Sequence, residues 1–131
     1  LDGLALDLQD QTLTRAELKD YAITHNAVSI SSGAITLDFA TGNSFEVTLT
    51  ENVTSITIAN PPATGNLGEA FIRFKQDATG GRTVGGWPAA VKWPGGTAPT
   101  ITSPANAVDK VTLTTDDAGT TYLGDFSQDY Q

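Results

Sequence analysis

From Val28 onward the apolar residues recur at every second position, the spacing of strands with one buried face. Ile35, Leu37 and Phe39 share one parity of 34–40, and apart from Asp38 the other parity holds small residues. Ala40-Thr41-Gly42-Asn43 is a turn signal, and beyond it Phe45, Val47 and Leu49 alternate with Glu46, Thr48 and Thr50. The two runs predict a hairpin with one wet face. Val53, Ile56 and Ile58 predict a third strand whose spacing slip implies a bulge. It stops at Asn60-Pro61-Pro62, because proline has no N–H for the ladder. Around Ala70, Phe71, Ile72 and Phe74 both parities are apolar, which predicts a strand covered on both sides. Val108, Val111 and Leu113, the turn Thr115–Gly119, and the run from Thr120 to Phe126 close the set. Roughly six to eight strands with turns at short, even spacing predict an all-β fold, a β-sandwich or jelly-roll-like domain.

Residues 1–27 follow another pattern. Leu4, Leu6 and Leu8 alternate with Ala5 and Asp7, as in a short strand or extended arm. Thr14-Arg15-Ala16-Glu17 has the spacing of a capping box, and Leu18, Tyr21 and Ala22 then share a helical face. The spacing predicts a short helix of about ten residues from Arg15. So short a helix needs a partner surface, either the β domain or copies of itself. The expected organisation is an N-terminal arm and helix over 1–27, leading into a β domain over 28–131.

Composition narrows what such a domain does. Twenty threonines and thirteen glycines in 131 residues reinforce the β reading. The chain has no cysteine, so it holds no disulfide framework and no thiolate metal site. A single histidine, His25, excludes any site that needs two imidazoles. Placed after the expected helix, it reads as a partner of the helix dipole. Fifteen acids against seven bases give a net charge of −8, which disfavours nucleic acid as a partner. There is no apolar run of the ~20 residues that a membrane-spanning helix requires. The absence of methionine reads as a fragment cut from a longer protein.

The stretch from Gln76 to Pro104 is mostly loop, interrupted by Arg82-Thr83-Val84 and Val91-Lys92-Trp93, and it holds both tryptophans. Its segments Gln76-Asp77-Ala78-Thr79-Gly80-Gly81-Arg82-Thr83-Val84, Trp87-Pro88 and Val91-Lys92-Trp93-Pro94-Gly95-Gly96-Thr97-Ala98-Pro99 resemble the C-terminal β domain of bacteriophage and prophage tail-fibre and minor tail proteins. Asn60-Pro61-Pro62-Ala63 precedes that signature in the expected order. Ala105-Asn106-Ala107, Thr115–Gly119 and Leu123-Gly124 follow it. Leu13-Thr14-Arg15 and Leu18-Lys19-Asp20-Tyr21 are similar to the segment that leads into such domains. Two departures stand out: Gly85-Gly86 adds chain before the tryptophan, and Tyr122 replaces a frequent tryptophan. The resemblance implies a virion tail component made in the bacterial cytoplasm. It implies a homotrimer that contacts other tail proteins and a host glycan or outer-surface protein. It carries over no individual functional residue.

The residues themselves offer few sites. Trp87 and Trp93 are the candidates for a sugar-stacking platform, with packing beneath the loop as the alternative. Asp77 and Arg82 are further ligand-contact candidates. The same segment also reads as a tight turn, with Asp77 bonding local N–H groups, glycines at positive φ and an Asp77–Arg82 pair. Asp116 and Asp117, with Asp109 and Asp125 nearby, supply too few oxygens for calcium and read as a solvated turn. No carboxylate pair suggests glycosidase chemistry. No catalytic residue, metal ligand or cofactor is therefore expected. Leu4, Leu6, Leu8, Leu13, Leu18 and Tyr21 are the candidate oligomerisation residues. The leading reading is a structural and adhesive domain of a trimeric tail fibre. The alternatives are a monomeric carbohydrate-binding module of a cell-wall-degrading enzyme and, more remotely, a fibre-borne depolymerase.

Overall fold

The computed structural model describes residue 9 and residues 11–131. The alternating runs become eight strands: β1 (His25–Ala27), β2 (Ala34–Asp38), β3 (Ser44–Leu49), β4 (Ser55–Ala59), β5 (Gly68–Gln76), β6 (Val91–Lys92), β7 (Val108–Thr115) and β8 (Tyr122–Tyr130). They form a six-stranded sheet in the order β1-β3-β5-β7-β8-β6 and a two-stranded sheet of β2 and β4. The all-β class expected from the alternation is what the chain adopts.

The connectivity differs from the expected hairpin. β2 and β3 do not pair; they lie in different sheets. From β1 to β5 the chain passes alternately between the two sheets, so each strand pairs in parallel with the strand two places on. Phe45 lies beside Ile72 in the β3/β5 ladder, and Ile35 lies beside Ile56 in the β2/β4 ladder. The local cause lies between β2 and β3. A turn of 3₁₀ helix over Phe39–Thr41 is capped by Asp38, whose carboxylate accepts from the Ala40 N–H, and it ends on Gly42 at φ 139°. That corner carries the chain to the other sheet instead of folding it back. After β5 the ladders turn antiparallel, β5 to β7 and β7 to β8, and β6 adds to β8 in parallel. A sheet with three parallel pairs does not have the antiparallel neighbours of a jelly roll.

The winding gives both sheets one core. Ile35 and Leu37 from β2, Phe45, Val47 and Leu49 from β3, and Ile56 from β4 pack with Ala70, Ile72 and Phe74 from β5. Val111 and Leu113 from β7 and Tyr122 from β8 complete it. Val53 is also buried and bridges to Val84, outside β4, where the spacing slip falls. β5 is covered on one face only. Its inward parity is buried, but Phe71 on the other parity is 42% exposed, so the expectation of a doubly covered strand fails.

The expected helix from Arg15 is absent. No helix occurs in the described residues before β1, and Arg15 and Asp20 take φ of 58° and 53°, which no helix tolerates. The reason is energetic. The capping-box pattern is present, but Leu18 and Tyr21 remain mostly exposed and bury too little apolar surface to offset nucleation. His25 therefore follows no helix and sits in β1. Its Nδ1 lies 2.7 Å from the Ser44 hydroxyl and its Nε2 lies 3.3 Å from Glu46. Leu4, Leu6 and Leu8 fall outside the described residues. Among the described residues no helix is long and apolar enough to cross a membrane.

Candidate functional site

The long connection between β5 and β7 is tied to the sheet at both ends by polar side chains in core positions. At the end of β5 the inward parity continues from Phe74 to Gln76, which is fully buried. Its Nε2 donates to the carbonyls of Arg82 (2.8 Å) and Thr102 (2.9 Å), and its Oε1 accepts from the Arg82 N–H (3.0 Å). One amide thus joins the start of the loop to its return. At the start of β7 the inward position before Val111 is Asp109, 1% exposed. Its carboxylate accepts from the N–H groups of Thr102 (2.7 Å) and Asp129 (2.9 Å) and from Gln128 Nε2 (3.2 Å). Burial pushes the Asp109 carboxyl up. The donors at Asp129, Thr102 and Gln128 outweigh burial and hold it below its ordinary value. Asp109 therefore fastens the loop's return and the end of β8 to the same point.

Within the loop, Asp77 forms the turn expected of it. Its Oδ1 accepts from the N–H groups of Thr79 and Gly80, and Arg82 pairs with its other oxygen at 3.1 Å. Gly80 and Gly81 take φ of 72° and 75°. The Gly80 N–H leads in lowering the Asp77 pKa; burial opposes it, and Arg82 and Thr79 assist. The added Gly85-Gly86 lets the loop run against the second sheet. The Gly85 N–H donates to Val53, the Gly86 carbonyl accepts from Ile56, and a side chain on Gly86 would collide with the Thr54 backbone.

The two tryptophans form a file of aromatic rings. Phe74 meets Trp87 edge-on at 6.0 Å, Trp87 meets Trp93 at 5.0 Å, and Trp93 meets Phe126 at 6.2 Å. Both indoles are half-buried and pack against the core, and the Trp87 Nε1 is itself buried. Trp93 lies over Gly124 of β8, where an added methyl would stand 2.5 Å from its ring. This geometry favours the packing reading, because in an edge-to-face contact one ring's edge covers its neighbour's face, the surface that a sugar would need. The structure brings together Asp77 with Arg82 and Trp87 with Trp93.

The last turn is likewise self-satisfied. Asp117 accepts from the Thr121 N–H and the Thr115 hydroxyl, which with the local backbone lowers its pKa despite burial. Gln76 and Asp109 are the residues the sequence reading missed as loop anchors. Their signal was present, since each is a polar residue at an inward parity of a strand. The described oligomerisation candidates Leu13, Leu18 and Tyr21 are all exposed.

Comparison with known families places these features. Residues 24–121 match the family described as "Putative phage tail fibre C-terminal domain". The match takes in every strand up to β7 and the whole anchored loop, and the chain belongs to this family. It is a structural component of a phage tail fibre and so of the virion tail, in association with other tail components. No curated protein matches the chain, and no solved structure does.

Proposed function

We propose that this chain is the distal domain of a trimeric tail fibre and contributes to recognition of the host surface, as a non-enzymatic adhesin. The observation that carries the proposal is the anchored loop. A connection of 31 residues, of which only the two of β6 pair as a strand, is costly to order. Here Gln76, Asp77 and Asp109 hold it at both ends, and Trp87 and Trp93 wedge it against the core. A rigid, polar, Gly- and Pro-rich surface loop on a β scaffold suits contact with a glycan or an outer-surface protein. Asp77, Arg82, Trp87 and Trp93 act in this reading mainly as the loop's frame. The β domain begins with β1 at His25, three residues before the boundary expected from the sequence, because β1 pairs with β3; the residues before it lead in from the shaft and join the three copies through their leucines. Weak contact at each copy is then multiplied by effective concentration.

The test is binding of fluorescently labelled protein to whole bacteria of the strain that hosts the phage, with purified surface polysaccharide as competitor. Saturable binding that the polysaccharide displaces supports the proposal. Binding indistinguishable from a charge-matched control protein overturns the adhesive role and leaves a purely structural one.

A further inference from the structure

The open face of the six-stranded sheet has its own pattern. Outward positions are fixed by the register. Glu69, Thr114, Leu123 and Lys92 form one row, and Ser44, Phe71, Thr112 and Asp125 the next. Glu46, Arg73, Lys110 and Ser127 follow, then Thr48, Lys75, Val108 and Tyr130. The first two rows carry an apolar band. Phe71 is 42%, Leu123 63% and Leu67 65% exposed. Tyr21 and Ile23 of the leader line a hollow of about 690 Å³ together with Leu67 and Phe71, and Leu67 and Leu123 line a second hollow beside it. Large exposed side chains in one continuous band mark an interaction surface rather than scattered surface hydrophobics.

Charge indicates the partner. The outward positions of this sheet hold three acids, Glu46, Glu69 and Asp125, and four bases, Arg73, Lys75, Lys92 and Lys110. The face therefore carries no acidic excess, and the chain's surplus of negative charge lies elsewhere. Two copies that approach through another surface repel each other, within a screening length of about 8 Å at physiological salt. Through this face no acidic excess opposes them. The edges of this sheet offer no alternative route, because its edge strands β1 and β6 are three and two residues long, too short to template edge-to-edge pairing.

We infer that the outer face of the six-stranded sheet, centred on Phe71 and Leu123, is the surface by which this chain packs against a second copy of itself. Tyr21 and Ile23 make the leader and the sheet one continuous seam. The inference rests on the trimeric reading above and names the surface that reading needs.

The experiment is sedimentation equilibrium of the full chain against Phe71→Asp and Leu123→Asp, each checked for folding by circular dichroism. Both side chains point to solvent in one copy, so both variants keep the β spectrum. The expected result is an associated wild type, with dissociation constants raised about thirty-fold or more in each variant. If Phe71→Asp fails to fold, Leu123→Asp decides alone. An associated wild type with folded variants that associate equally well overturns the face and leaves the trimer standing. A wild type that remains monomeric up to millimolar concentration overturns both.

Discussion

Replacing Asp109 by asparagine tests the loop anchor with almost no change of volume. In the wild type one oxygen accepts from Thr102 N and Gln128 Nε2, and the other from Asp129 N. Asparagine turns one of those oxygens into a donor that faces donors. At least one bond to a charged group is lost, about 1.5–3 kcal/mol, and a buried N–H is left unpaired at a further ~1–3 kcal/mol. The two costs overlap, so the expected loss at neutral pH is about 3 kcal/mol, on the order of 10 °C in melting temperature. Urea and thermal unfolding followed by circular dichroism measure it. The pH dependence separates charge from shape. The folded-state pKa of Asp109 is lowered, so its stabilisation is fully present above the unfolded value of about 3.9 and is lost as pH falls through the folded value. The gap between wild type and Asp109→Asn therefore narrows below about pH 4. A loss under ~0.5 kcal/mol, within the range of ordinary surface changes, would refute the anchor. A gap unchanged down to about pH 2 would refute the role of the charge.

Other positions make separate predictions. Gln76→Leu removes three hydrogen bonds from a fully buried site and should cost about 3 kcal/mol, with faster proteolysis between residues 77 and 104. Unchanged proteolysis would mean that the loop is ordered without it. Gly124→Ala should cost about 1–3 kcal/mol and shift tryptophan emission, because the new methyl displaces the Trp93 ring. An unaltered spectrum would contradict that packing. Trp93→Ala should destabilise by roughly 3 kcal/mol, since the ring is half-buried between Trp87 and Phe126. Normal melting with lost cell binding would return Trp93 to the sugar-platform reading. Leu18→Asp should weaken assembly while sparing the β spectrum. An unchanged mass would remove Leu18 from the candidate oligomerisation residues.

Much of the fold was legible because alternation reports which side chains share a face. Ile35/Leu37, Phe45/Val47/Leu49 and Ile72/Phe74 all point inward as their spacing requires. Alternation does not report which strand lies alongside. The runs at 34–38 and 44–49 are compatible with a hairpin until the 3₁₀ corner at Phe39–Thr41 redirects the chain. The leader misled for a related reason. A capping box is a local preference of about 1 kcal/mol, and helix nucleation exceeds it when Leu18 and Tyr21 stay mostly exposed. The candidate site divides along the same line. The Asp77–Arg82 turn was readable because its partners lie within five residues. The Gln76 and Asp109 anchors were not, because they reach across 26 and 20 residues to Thr102 and Asp129. A glutamine and an aspartate on the buried parity of a strand were the visible trace of those distant partners.

The proposed position of the domain at the host-facing end of the fibre is the centre of this account. It is tested most directly by immunogold electron microscopy of intact virions, with an antibody raised against the loop at 77–104. The account predicts gold at the distal tips of the tail fibres and inhibition of adsorption by the same antibody. Gold confined to the fibre shaft or its attachment to the tail, with adsorption unimpaired, would contradict it.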